Sequence, residues 1–211
     1  MVRSLVCICL LFFASCGQRD FPDYSGSTEQ QREEQQSGIY FGELIPLNKA
    51  LTGPIEGHTK IWIQGIQFYT KVILKRGIAR LRHEQYIHAG SECPNAAQDL
   101  NSDGIISISE VMRSSGKRLI PLDRILKTQK DGLGWFPTTS KNGSYVYSRS
   151  TAVFHLLEDL RSPDSSSHDH LGKLGEGEGL DLHRRTLILY ANVDNILLPV
   201  ACAEIRESFD F

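Results

Sequence analysis

The chain has 211 residues, of which 40% are hydrophobic, and its formal net charge at pH 7 is −2. This length suits one compact domain with a core and is too short for two large domains. The near-balance of charge argues against a nucleic-acid partner and against electrostatic attachment to anionic lipid.

The first fifteen residues are typical of a bacterial lipoprotein signal peptide. Arg3 supplies a positive start, and residues 5–14 form an apolar stretch that is shorter than the roughly 20 residues that span a bilayer. The residues Phe-Ala-Ser-Cys ending at Cys16 resemble the lipobox, whose cysteine becomes the lipid-carrying first residue; Phe13 stands where lipoproteins prefer Leu. The alternative is an ordinary secretory signal cut near Ala14.

A lipid on Cys16 predicts a location in the bacterial cell envelope, with the membrane as partner and the domain in the periplasm or on the cell surface. Gly17 follows it, and the absence of Asp there favours the outer membrane over the inner one in many Gram-negative lipoproteins. Residues 16–38 are poor in apolar side chains, so we expect a flexible tether. The folded domain is then expected to cover residues 39–211.

The remaining cysteines predict a disulfide. Cys7 and Cys9 belong to the expected signal peptide and Cys16 to the anchor, which leaves Cys93 and Cys202. Two remaining thiols are expected to pair in an oxidising compartment, and a loop of this length would gain up to ~4–5 kcal/mol. Two unrelated buried thiols are the alternative.

Strand-like segments dominate the rest of the chain. Thr59–Lys75 reads as one long strand or a hairpin, whereas Ser109–Ser115 and Ser150–Leu160 have room for short helices. Sparse strands joined by long loops predict a mainly β fold, a Greek-key β-sandwich. The other predicted strands are Gly143–Ser150, Arg185–Asn192 and Ile196–Ile205.

Asp99–Glu110 matches the 12-residue EF-hand calcium loop at each diagnostic position. Calcium takes six to eight oxygen ligands, and side chains at alternate positions of a tight loop converge on one point. Gly104 permits the sharp turn, and Ile106 is expected to anchor the loop in the core. The expected ligands are Asp99, Asn101, Asp103, the carbonyl of Ile105, Ser107 through a water, and Glu110.

The alternative is an Asx-rich turn without an ion, although such a turn does not require Glu110 six residues after Gly104. The preceding residues Cys93–Gln98 can supply only about one helical turn, and the chain has no partner EF-hand. We therefore expect a fixed structural calcium site rather than an opening sensor, with an affinity near ~10⁻⁴–10⁻³ M or somewhat tighter.

Three segments resemble, in order and approximate spacing, the copper/zinc superoxide dismutase superfamily and its non-enzymatic relatives. These are "QYIHAGSECP", "RRTLILYAN" and "LPVACAEI", which begin at Gln85, Arg184 and Leu198. The resemblance implies a Greek-key β-sandwich and a Cys93–Cys202 disulfide.

The departures from this family bear on function. Tyr86 replaces the first His of the His-x-His pair and leaves His88 alone, Tyr190 replaces a later copper ligand, and Pro199 replaces the Arg that guides the anionic substrate. A redox copper site needs several converging imidazoles. We therefore expect a calcium-binding structural or binding module without catalytic activity and with an unknown protein or envelope partner; a divergent metal-dependent redox enzyme is the alternative.

The other histidines give weaker signals. His155, His168 and His170 could bind zinc, for which solvated loop histidines are the alternative. His83 and His183 have no partner that the sequence assigns.

Overall fold

The computed structural model describes residues 37–126, 135–162 and 171–208. Within these ranges the protein is mainly β, and the strands inside each sheet pair antiparallel. The strands are β1 (Gly38–Glu43), β2 (Ile45–Pro46), β3 (Glu56–Gln64), β4 (Gln67–Arg76), β5 (His83–His88), β6 (Arg118–Pro121), β7 (Tyr145–Ala152), β8 (Thr186–Val193), β9 (Ile196–Glu204) and β10 (Arg206–Glu207).

The helices of the described ranges are short. None of them has the length and apolar character needed to cross a membrane. They are α1 (Lys49–Thr52), α2 (Ile108–Ser114), α3 (Val153–Arg161) and the 3₁₀ turns Ala96–Gln98 and Leu182–Arg184.

The strands form two five-stranded sheets. The first has the order β10-β1-β3-β4-β7 and the second the order β2-β9-β8-β5-β6. The chain crosses between the sheets repeatedly, except at the hairpins β3–β4 and β8–β9 and between β5 and β6. The segment that carries the calcium motif is this last connection, so both of its ends are fixed in one sheet. The predicted mainly β fold is confirmed.

The main core lies where the inner faces of the two sheets meet. Side chains alternate along a strand, so every second residue faces inward. In β4 these residues include Phe68 and Val72, which are fully buried, and in β8 they include Leu187 and Leu189. Burial of apolar surface is the main term that favours this arrangement.

A second hydrophobic cluster covers the outer face of the second sheet. Tyr86 of β5 and Tyr190 of β8 alternate with the inward-facing residues of their strands and therefore point to the opposite side. Ile106 of the calcium motif and Val111 of α2 pack in this cluster. Residues 93–115, which we call the outer layer, thus pack on their own small core.

The predicted disulfide is present. Cys93 and Cys202 are bonded across a sequence separation of 109 residues, with their Cα atoms 5.7 Å apart. Cys93 begins the outer layer and Cys202 lies in β9, so the bond ties that layer to the second sheet.

The helix predicted over Ser150–Leu160 begins later than expected. β7 continues to Ala152, because Ser150 and Thr151 still pair with β4, and α3 starts only at Val153. β1 begins at Gly38. The predicted signal peptide, Cys16, the tether up to residue 36, His168 and His170 lie outside the described residues.

Candidate calcium site and the neighbouring tyrosine cluster

The calcium motif lies between a 3₁₀ turn and a helix. Asn95 caps the turn Ala96–Gln98, and Asp99 is the residue that ends it. Ser107 is the N-cap of α2, and Glu110 lies in the first turn of that helix. The single turn before the loop agrees with the length predicted from the sequence.

The first half of the loop folds around its own polar side chains. The carboxylate of Asp99 accepts hydrogen bonds from the backbone N–H groups of Asp103 (3.2 Å) and Gly104 (2.8 Å). The carboxylate of Asp103 accepts from the N–H of Ile105 (2.8 Å) and from the amide of Asn101 (2.7 Å). Gly104 has a φ of 78°, a conformation that glycine adopts without strain.

Glu110 links the two ends of the loop. One of its oxygens accepts from the N–H of Leu100 (2.8 Å), and the other accepts from the N–H (2.7 Å) and hydroxyl (2.8 Å) of Ser107. The hydrogen bonds from Ser107, and then from Leu100, hold the pKa of Glu110 below its ordinary value. Glu110 is therefore ionised at neutral pH, although the residue is only 5% exposed.

The donor set fits calcium in its chemistry. Among the described residues, no group of three or more His, Cys, Asp or Glu side chains is arranged to hold a metal ion. The three carboxylates of the loop, Asp99, Asp103 and Glu110, are therefore not gathered into such a group. The other three predicted ligands are the Asn101 amide, the Ile105 carbonyl and the Ser107 hydroxyl. Each carboxylate oxygen has two lone pairs, so the oxygens of Asp99 and the Glu110 oxygen that accepts from Leu100, which accept one N–H each, can still face a cation. The set is all oxygen, as calcium requires.

The loop is anchored where the sequence predicted. Ile106 is 8% exposed and packs in the second cluster with Val111. Leu100, at the second position of the loop, is 59% exposed. The loop therefore has one face on the protein and one face in solvent.

His88 and Tyr190 form a buried polar contact. His88 is fully buried, and its Nδ1 lies 2.9 Å from the carbonyl oxygen of Gly116. A carbonyl only accepts, so Nδ1 carries the proton and Nε2 accepts the hydroxyl proton of Tyr190, 3.0 Å away. Burial lowers the pKa of His88 to about 4. The imidazole is therefore neutral at pH 7.

Arg118 lies between two tyrosine rings at the same place. Its guanidinium carbon is 4.6 Å from the centroid of the Tyr86 ring and 4.4 Å from that of Tyr190. Arg118 is 7% exposed, and its buried Nε has no hydrogen-bond partner among the described residues. Burial raises the pKa of Tyr190 to about 12, with Arg118 opposing the shift. Burial raises the pKa of Tyr86 as well, so both rings are neutral phenols facing a cation.

Three of the described histidines, His83, His155 and His183, are not brought together with His88. His155 lies on α3 with an exposed side chain, and its Nδ1 is 3.9 Å from Glu158. His183 is exposed. His83 is buried and bonds through Nδ1 to the carbonyl of Leu81 (3.0 Å).

Two residues of this region were missed by the sequence analysis. Arg118 gave a faint signal, because it directly precedes the apolar run at residues 119–122. Asn48 contacts the calcium motif from 58 residues away and gave none. In comparisons with known proteins, the chain matches no protein-family model and no curated protein.

Proposed function

We propose that this chain is a calcium-binding module of the bacterial cell envelope that has a structural or binding role and no catalytic activity. The observation that carries the proposal is the loop Asp99–Glu110, with oxygen donors at the EF-hand spacing and a buried, ionised Glu110 that closes it. Asp99, Asn101, Asp103, Ile105, Ser107 and Glu110 would hold the ion.

Calcium would supply a positive charge at the centre of a loop that has three carboxylates and no basic residue. Asp99, Asp103 and Glu110 form no ion pair with a described residue. Like charges brought together in a folded loop repel one another, and a divalent cation removes this repulsion. The ion would therefore stabilise the folded loop.

The tyrosine cluster supports the absence of copper chemistry. Redox copper sites use several imidazoles, and here two phenols, Tyr86 and Tyr190, face the guanidinium of Arg118 instead. A buried positive charge at this point repels a metal cation. His88 already bonds through both ring nitrogens.

We propose further that the domain is a non-enzymatic relative of the copper/zinc superoxide dismutase superfamily with a Greek-key connection. In support, the three resembling segments fall on or beside β5, β8 and β9, which are neighbours in one sheet, and the expected disulfide joins two of them. The lipid anchor on Cys16, with residues 16–38 as tether, is proposed on the sequence pattern alone.

The test of the calcium proposal is thermal unfolding of the purified protein with calcium and with a chelator. A ligand in hundredfold excess over its Kd stabilises the native state by ~2.7 kcal/mol, which for a domain of this size raises Tm by about 5–10 °C. In Glu110→Gln the calcium-dependent rise should vanish, because the substitution removes the charge that closes the site.

The matched control is Glu158→Gln, which changes an exposed carboxylate of α3 outside the loop. This variant should keep the full calcium effect. Equal melting curves of the native protein in calcium and in chelator would refute the proposal. Elemental analysis of protein purified without added metal should find no stoichiometric copper or zinc; either metal at stoichiometry would favour the enzymatic alternative.

A further inference from the structure

Asn48 joins the calcium motif to the rest of the sandwich. It lies between β2 and α1, with a φ of 51°, and its side chain reaches Ile106. Oδ1 accepts from the N–H of Ile106 (2.7 Å), and Nδ2 donates to the C=O of the same residue (2.9 Å). Nδ2 also donates to the carbonyl of Pro199 in β9 (3.0 Å). One amide thus connects three separate parts of the chain.

The two bonds to Ile106 fix the peptide units on either side of that residue. A peptide unit is planar and trans, so its C=O points opposite to its N–H. The N–H of Ile106 belongs to the same unit as the C=O of Ile105, the predicted backbone ligand. When Asn48 holds this N–H, the Ile105 carbonyl is directed away from Asn48.

The second bond acts on the other unit in the same way. The C=O of Ile106 shares its peptide plane with the N–H of Ser107, and this N–H donates to Glu110 (2.7 Å). When Asn48 holds the carbonyl, it orients the donor that positions the last predicted ligand. A primary amide offers an acceptor and a donor in one plane, which suits this double contact.

We propose that Asn48 is a positioning residue of the calcium site, which raises calcium affinity by holding the peptide units on both sides of Ile106 in the binding orientation. This inference rests on the proposed calcium function. A loop that is already ordered loses less conformational entropy when the ion binds. By reciprocity, bound calcium strengthens the attachment of Asn48 to the loop by the same factor.

The test compares calcium affinity by titration calorimetry in two variants. Asn48→Gly keeps a residue that tolerates positive φ and removes the amide, whereas Asn195→Gly makes the same change at an exposed turn with a φ of 67°. We expect Asn48→Gly to weaken calcium binding by on the order of tenfold, the worth of one to two hydrogen bonds. Asn195→Gly should bind as the native protein does.

The outcomes separate the inference from the function on which it rests. Native protein that binds no calcium would overturn both. Calcium binding that is equal in native protein and Asn48→Gly would overturn the role of Asn48 alone, even if the variant melts lower in chelator. If Asn48→Gly does not fold, hydrogen exchange of the Ile106 N–H is measured in the native protein. We expect calcium to slow this exchange, and an unchanged exchange rate would contradict the proposal.

Discussion

Arg118, Tyr86 and Tyr190 form a stack in which a cation lies between two aromatic faces. Such contacts are worth about 0.5–2 kcal/mol each, with larger values where water is excluded. Arg118 is 7% exposed and forms no ion pair with any residue that the structure describes, so the stack is the contact seen for its charge. The Tyr190 ring lies beside His88, with the two ring centroids 6.0 Å apart.

His88 should make stability depend on pH. Its folded pKa of about 4 lies below the ordinary 6.5, so the unfolded chain takes up the proton first. The free energy of unfolding should therefore fall by up to about 3 kcal/mol as the pH falls from about 6.5 to about 4. In His88→Gln, which keeps a donor and an acceptor, this part of the decrease should disappear.

Urea unfolding at several pH values measures this effect. His183→Gln is the control, because it changes an exposed imidazole in the 3₁₀ turn Leu182–Arg184 and should retain the native pH dependence. If the free energy of unfolding of His88→Gln depends on pH as that of the native protein does, the buried imidazole is not the group that titrates.

At the scale of elements, the calcium loop and α2 use the same residues. Ser107 is the predicted ninth loop position and also the N-cap of α2, and Glu110 is the predicted last ligand and also the partner of Ser107 in a capping box. The start of the helix and the end of the loop must therefore form together. Because α2 packs Val111 into the second cluster, ordering of the loop is coupled to packing of the outer layer.

Ser107→Ala should lower both the stability of the protein and its affinity for calcium. Without the cap, the free energy of unfolding measured in chelator should fall by about 1 kcal/mol. Calcium affinity should fall as well, since Glu110 loses the hydroxyl that holds one of its oxygens at 2.8 Å. Ser107→Thr supplies a hydroxyl at the same place and should restore most of both quantities. A loss of stability with native calcium affinity would mean that cap and site are independent.

What the sequence predicted correctly depends on local pattern. The alternation in Thr59–Lys75 predicted a strand or hairpin, and the structure has the hairpin β3–β4 turning at Gly65. β6 was missed because its four residues are all buried and show no alternation. The predicted calcium ligands lie within twelve consecutive residues, so their spacing can be recognised from the sequence. Asn48 and Arg118 act across distant parts of the chain, and no local pattern reveals such contacts.

At the scale of the whole molecule, three devices hold the outer layer to the second sheet. The Cys93–Cys202 disulfide fixes its start, Ile106 and Val111 pack it through the second cluster, and Asn48 ties it to β9. The disulfide thus holds the chain before the predicted calcium loop, and Asn48 holds Ile106 within it. An ion in the loop would therefore bind a segment that is already constrained at these two points, which lowers the conformational entropy lost on binding.

Removal of the disulfide tests whether it assists calcium binding by constraining the loop. In the chain-entropy model a bond that closes a loop of this length is worth ~4–5 kcal/mol, so Cys93→Ala with Cys202→Ala should lower Tm by about 10–20 °C in chelator. The variant starts from a less ordered loop, so calcium must now order it as well. The calcium-dependent rise in Tm should therefore be smaller in the variant than in the native protein, a non-additivity expected of neighbouring constraints. Calorimetric scans of both proteins, each with calcium and with chelator, measure the four Tm values. If calcium raises Tm equally in both proteins, the disulfide and the loop stabilise the sandwich independently.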